Sequence, residues 1–291
     1  MAVQASCVGK GVGESLVEVT PRMILAYAAG LGEEDERYLD DLRPGGIVAP
    51  PPFCIALEWP VVGGRTYQEV SGTTPEEAVG AIHVVQDSSF YRLVRPGDRL
   101  VTAGHVVQVR STSAGALLVT KLETRDATTN KAVVTSWYGV IFLRLGVDGE
   151  IRTIEEPPLL RAERGLPAGE TSRVVLPIGR TLSHIYTECT GIWNPIHTER
   201  KVAVATKLPD IILHGTATWA LTAQHLIRAC AGGDPGGLRR FAGRFHGMVI
   251  PGTQIAIEYV RGSANSGRVD FVVRNGTGDL AITHGVAEFA P

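Results

Sequence analysis

The segment Thr190-Gly191-Ile192-Trp193-Asn194-Pro195-Ile196-His197 gathers the residues of this chain best suited to chemistry. An unperturbed histidine titrates near pH 6.5, so His197 can take up and release a proton at neutral pH. Asn194 could orient water or a substrate, although Asn-Pro is also a common turn initiator. Downstream, Leu213-His214-Gly215 opens a long periodic stretch. The first N–H groups of a helix have no intrahelical partner and lie at its positive end, where they can steady charge developing on an oxygen. A glycine there admits a close approach, having no Cβ. In the plainer reading Gly215 is a helix-cap glycine and His214 orients the helix start by hydrogen bonding. Trp193 and Trp219 either pack or line a pocket.

These residues need elements to hold them. In the first half, Ser15–Val19 reads as a short strand, and Thr20-Pro21 as a helix start with Thr at the N-cap and Pro at the first helical position. Met23, Ile24, Tyr27 and Leu31 make one apolar helical face. A loop with prolines at 44, 50, 51 and 52 follows, then a short or broken helix over Ile55–Val62. Four strands are expected over Ala81–Tyr91, Arg99–Val109, Ala116–Arg125 and Lys131–Leu143, rich in Val, Thr and Tyr and separated by turn residues. Asp148–Glu170, charged and proline-bearing, reads as a linker. In the second half a strand is expected at Val174–Pro177, helices at Thr181–Thr190, Glu199–Ala205 and His214–Ala231, and strands near 238–247, 254–261, 267–274 and 280–289.

The halves repeat. Tyr27-x4-Gly32 matches Tyr186-x4-Gly191 at an offset of 159 (186 − 27). Phe90-x5-Pro96-Gly97 matches Phe245-x5-Pro251-Gly252 at 155 (245 − 90), and Ile47–Pro50 sits where Ile211–His214 sits, at 164 (211 − 47). Three matches in one order at near-constant offset point to duplication. Each half is then a strand, a helix and four antiparallel strands, an α+β layer of sheet against helix.

The combination Thr190-Gly191-x-x-Asn194-Pro195-x-His197, Leu213-His214-Gly215 and Phe245-x5-Pro251-Gly252 resembles the MaoC-like, (R)-specific enoyl-CoA hydratase (hydratase 2) family. The resemblance is good over the second half and loose over the first, as in double-hotdog members whose N-terminal repeat has lost its catalytic residues. It implies two fused hotdog folds, each an antiparallel sheet wrapped around a long helix, forming a pseudo-dimer. It implies a hydratase or dehydratase of acyl thioesters, carried by CoA or a carrier protein. His197 would be the general acid/base, Asn194 a positioner of water or substrate, and the Gly215 N–H the oxyanion donor. Ile192, Trp193, Trp219 and Arg244 would border the substrate. Arg239, Arg240 and Arg244 could meet a CoA phosphate or be ordinary surface.

At one position the chain departs from the pattern: the family's catalytic aspartate falls on Ile192, which can neither accept a proton nor orient water. The first half offers Glu33, Asp35 and Tyr38 at the positions of aspartate, asparagine and histidine, and Pro50–Pro52 in place of His-Gly. Glu33–Glu36 reads by default as a solvated acidic run. Three accounts stay open. Glu188, His184, His214, Glu33 or Asp87 replaces the aspartate; or His197 acts alone, eliminating water or shifting a double bond; or the site binds an acyl group without catalysis.

Composition narrows the rest. Lys+Arg 28 against Asp+Glu 30 gives a net charge of −2, and no aromatic-basic stripe occurs, so no nucleic-acid partner is expected. Hydrophobic residues at 44% and charged residues at 20% allow a core. The 34 glycines exceed the roughly 20 of average usage. The four cysteines stand far apart without a CxxC pair, so neither a zinc site nor a disulfide framework is expected. The N-terminus does not read as a secretory signal and no apolar run is long enough to span a membrane, which makes cytoplasm the expected compartment. The expected organisation is an N-terminal hotdog over 1–147, a linker over 148–170 and a C-terminal hotdog carrying the motif over 171–291. No cofactor or metal is implied, and a homodimer is compatible with the fold.

Overall fold

The computed structural model describes residues 2–74, 77, 81–158, 164–263 and 266–290. Positions 159–163 of the expected linker lie outside these. Two compact units form: one from residues 1–18, 57–91 and 99–159, the other from 19–56, 92–98 and 160–291.

In the first unit, strands β1 (Ala2–Gln4), β2 (Gly11–Glu18), β3 (Ala81–Phe90), β4 (Arg99–Ser111), β5 (Gly115–Asp126), β6 (Ala132–Leu143), β7 (Gly146–Asp148) and β8 (Arg152–Thr153) are formed. The main sheet runs β2-β4-β5-β6-β3, antiparallel throughout. β8 pairs with β4, and β1 runs parallel to β7. Alternate residues of β4, β5 and β6 point to one face, where Val106, Leu118, Leu122 and Phe142 form a core with Val61 and Tyr67.

The second unit holds helices α1 (Pro21–Gly30), α2 (Glu36–Leu39), α5 (Leu182–Thr190), α6 (Arg200–Ala205) and α7 (Gly215–Cys230) with strands β9 (Thr171–Pro177), β10 (Leu238–Phe245), β11 (Gln254–Arg261), β12 (Arg268–Arg274) and β13 (Leu280–Phe289). Between α2 and α5 in chain order come α3 (Cys54–Val62) and α4 (Arg65–Ser71). The sheet runs β9-β11-β12-β13-β10. This is the order β2-β4-β5-β6-β3 again, so the duplication read from three sequence matches extends to the strand topology. Trp219 of α7 is fully buried against Phe241, which stacks on Phe271, so the long helix delivers its apolar face to this sheet.

Local signals worked as expected at the ends of elements. Thr20 caps α1, its Oγ1 accepting from Met23 N, with Pro21 behind it. Gly32 and Gly191 sit just beyond α1 and α5 at φ 65° and 70°, a conformation that costs glycine little. Ile55–Val62, expected as short or broken, belongs to a continuous helix with Pro60 in its last turn. Helix α4 was not anticipated. No helix among the described residues is long and apolar enough to cross a membrane.

Candidate active site

Asn194 starts the site. Its backbone is extended, its Oδ1 accepts from the Ile196 N–H at 3.3 Å, and Pro195 leads a single 3-10 turn that ends on His197. The turn-initiating reading of Asn-Pro is therefore realised in the structure. Among the described residues the Asn194 Nδ2 has no hydrogen-bond partner, so the amide retains donors for a ligand.

His197 is half-buried. Its Nδ1 lies 2.8 Å from the Ile212 carbonyl oxygen, which can only accept, so Nδ1 carries the proton and Nε2 is the bare nitrogen. No group among the described residues engages Nε2. Burial pushes the imidazole down to about 4, and the bond to Ile212 opposes that shift only in part. At neutral pH His197 is an uncharged base with one accessible lone pair.

His214 lies against it, the two rings stacked at 3.7 Å with 25° between planes. His214 is buried, with Nε2 at 3.2 Å from the Ile192 carbonyl oxygen and 3.3 Å from Thr187 Oγ1, and its far side meets the Tyr186 ring at 5.0 Å. Burial, then the neighbouring His197, pushes its imidazole down to about 2. The hydrogen bond by which His214 was expected to orient the start of α7 is not made among the described residues. It occupies the N-cap position, but its side chain makes no cap hydrogen bond; it bonds to the turn before His197 instead.

Gly215 is the first residue of α7. A Cβ built there would meet the Phe245 ring at 3.1 Å, so the glycine and the Phe of the Phe-x5-Pro-Gly segment require each other. The start of α7 follows directly on the stacked His214 and has no side-chain cap among the described residues, while the Ala217 and Thr218 N–H groups bond to the His214 carbonyl oxygen.

The other candidates separate. Ile192 is buried, its N–H bonded to Thr190 Oγ1. Trp193, expected to pack or line a pocket, is 57% exposed, while Trp219 is core. Glu188 is exposed and His184 spends Nε2 on the Thr198 carbonyl oxygen, so neither occupies the place of the missing carboxylate. Arg244 is exposed on β10 and Arg240 pairs with Glu288. Asp87 is buried in the other unit. No carboxylate hydrogen-bonds to His197 among the described residues, nor do three His, Cys, Asp or Glu side chains converge as a metal would need.

Of the expected solvated acidic run, Glu34 and Glu36 are exposed but Glu33 is not. It is buried, with Oε1 accepting from Arg228 Nη2 and the N–H groups of Glu34 and Asp35, and Oε2 from Gln224 Nε2 at 2.7 Å. A carboxylate can leave water because cation and donors replace its hydration. Pairings across some 190 residues of chain leave no local trace in sequence. Tyr186 and Thr187, which the motif also omits, were marked only by the Tyr27–Tyr186 match.

Comparison with known proteins agrees with this geometry. Residues 162–281 match the MaoC like domain, and residues 6–136 match the FAS1-like, dehydratase domain region. A fatty acid synthase subunit beta of Aspergillus oryzae is 33% identical over 127 residues, covering 43% of this chain and 6% of the synthase subunit. A peroxisomal multifunctional enzyme type 2 of Mus musculus is 21% identical over 212 residues, 72% of this chain and 28% of that enzyme. The chain thus spans less than a third of either. Among solved structures, a MaoC-like dehydratase from Phytophthora capsici superposes with a TM-score of 0.80 at 18% identity, covering 96% of this chain and 95% of that one. A Mycobacterium tuberculosis protein described as a double hotdog fold gives 0.60 at 13% identity, covering 99% and 97%. The chain thus shares the fold of these MaoC-like and double-hotdog structures, its residues 162–281 being similar to the MaoC like domain and its residues 6–136 to the FAS1-like, dehydratase domain region.

Proposed function

We propose that the chain dehydrates a 3-hydroxyacyl thioester, or hydrates the corresponding 2-enoyl thioester, with His197 as the only acid/base. The observation that carries this reading is the His197 imidazole itself: Nδ1–H fixed on the Ile212 carbonyl, Nε2 open, and the start of α7 following directly on the His214 stacked against it. In the dehydration direction Nε2 takes the proton from the carbon next to the thioester carbonyl. The electron pair moves onto the thioester oxygen, where the Gly215 N–H and the positive end of α7 receive it. The carbonyl then re-forms, the C3–O bond breaks, and the departing hydroxide takes the proton back from Nε2–H, leaving the enoyl thioester and one water. The lowered imidazole pKa makes Nε2 a weaker base for the first step and Nε2–H a stronger acid for the second, so proton abstraction is the step that leans most on the Gly215 N–H and the start of α7.

Ile192 favours a second reading. With a buried aliphatic side chain where the family places a carboxylate, Ile192 itself cannot hold water. The same imidazole could move a proton between C2 and C4 and shift the double bond. Incubating the protein with crotonyl-CoA in ¹⁸O-water separates the two. Label in a 3-hydroxyacyl product is the expected outcome; a shifted double bond without label would replace dehydration by isomerisation, and no turnover on any acyl-CoA or acyl-carrier thioester would leave an acyl binder.

A further inference from the structure

We infer that His214 is a positioning residue: stacked on His197 and tied to the Ile192 carbonyl, it holds the base, the turn before it and the start of α7 in one arrangement. This deepens the reading of His197 as the base and rests on it. Both imidazoles are fixed by the same device, an N–H donated to a main-chain carbonyl: Nδ1 of His197 to Ile212, Nε2 of His214 to Ile192. The second bond uses the backbone of the very residue whose side chain no longer serves catalysis. His214 also reaches Thr187 on α5 and immediately precedes Gly215, so its one ring touches the C-terminal turn of α5, the motif loop and the N-terminus of α7.

The side chain is more than a spacer. A phenylalanine would supply the stack without the donor; a glutamine would supply a donor without the stack. The imidazole does both in the space of one small ring, and it does so while leaving Nδ1 buried with no hydrogen-bond partner among the described residues. Native proteins seldom bury a polar atom unpaired, and a residue kept only for packing would have no reason to. The charged groups around the pair are turned away from it or paired with each other: Glu188 and His184 on α5 are exposed, Glu199 before α6 is exposed, and Arg200 pairs with Asp210 at 3.3 Å. Tyr186 closes the far side of His214. Burial is the main cause that keeps His197 uncharged, and the stacked His214 ring covers one of its faces.

The test compares His214→Phe with His214→Gln, reading the His197 imidazole by NMR titration in the folded protein without substrate, alongside kcat and KM. His214→Gln opens one face of His197 to water, and its titration should rise by about one unit or more toward the ordinary value. His214→Phe keeps the enclosure, so His197 should still titrate low, yet kcat should fall about tenfold with KM little changed as the Ile192 turn and the Gly215 N–H lose their tie. His197 titrating at its wild-type pH in the glutamine variant, or wild-type kcat in the phenylalanine variant, overturns the inference. Should glutamine prevent folding, His214→Asn takes its place under the same criteria. Since the titration needs no substrate, positioning can fail while the reaction stands, and the reverse.

Discussion

The second unit contains the motif twice, once with Asn194, His197 and Gly215 and once with Asp35, Tyr38 and Pro50-Pro51 in their places. At the first copy Asp35 caps α2 and Tyr38 lies within its single turn; at the second Asn194 caps a turn that His197 ends. The backbone bonds correspond: Val48 N to Arg37 O and Ala49 N to Val94 O in one, Ile212 N to Ile196 O and Leu213 N to Val249 O in the other. Tyr27 bonds to the Pro52 carbonyl as Tyr186 bonds to Thr216 Oγ1. A contact between α1 and α5 also joins equivalent positions, since a Cβ on Gly30 would lie 2.7 Å from the Cβ of Cys189. What differs is chemistry. The first copy has kept a carboxylate, Glu33, and committed it to Arg228 and Gln224; its His-Gly has become Pro50-Pro51, which has no N–H to give. The space left there, a cavity of ≈ 10 Å³ bordered by Glu33, Tyr38 and Pro52, has room for about one water. The second copy kept the imidazole and the helix start and lost the carboxylate. The scaffold is thus maintained by backbone bonds and packing that do not depend on the reaction.

The sharpest way to break this contrast is to treat the two copies alike. His197→Ala should lower kcat/KM by at least about 100-fold, whereas Tyr38→Phe should leave it unchanged. Equal losses, or none at His197, would end the claim that one copy is catalytic.

Acid should act next. His197 must be uncharged to accept a proton, and its folded-state value near 4 lies below the ordinary 6.5. The kcat/KM profile should stay level from pH 7 to about pH 5 and fall tenfold per unit below the folded value. Stability follows the same sign. The unfolded chain binds protons at His197 and His214 that the folded chain refuses, so their contribution is complete above pH 6.5 and is lost as pH falls, down to about 4 for His197 and about 2 for His214. A urea midpoint no lower at pH 5 than at pH 7 would contradict this, as would an acid limb near pH 6.5.

Gly215→Ala sharpens the contrast at the helix start. The new Cβ would press on Phe245, shifting the ring or α7, at a cost of about 1–3 kcal/mol and about tenfold in kcat. Adding Phe245→Leu should recover stability, read by denaturant midpoint; no recovery would remove Phe245 as the cause.

Much of this was readable from sequence because it is local. Pro21 behind Thr20, glycines after α1 and α5, and alternation in the four strands of each half fix elements within a few residues. The duplication was readable because Tyr27/Tyr186 and the Pro-Gly turns keep their spacing. The stack of His197 on His214 was not, since it depends on how the Asn194 turn and the α7 start meet in space. The fate of Glu33 was hidden for the same reason: burial reversed the default for an acidic run, and its partners lie on a helix in the other half of the sequence.

The ion pair of the first copy gives the smallest and most selective test. Glu33 is buried while the Arg228 side chain is half exposed, so water can partly replace the guanidinium if it is removed. Arg228→Ala should therefore destabilise by about 1–3 kcal/mol, below the about 3–5 kcal/mol typical for breaking a fully buried pair. Gln224 and the two main-chain N–H groups still hold the carboxylate, so kcat/KM at the second copy should not change. Glu33→Gln with Arg228→Ala should recover part of the loss, because an amide left without its cation is less costly to bury than a carboxylate. A drop in kcat/KM without a drop in stability would reverse the assignment, making Glu33 part of the reaction rather than a carboxylate retired from it.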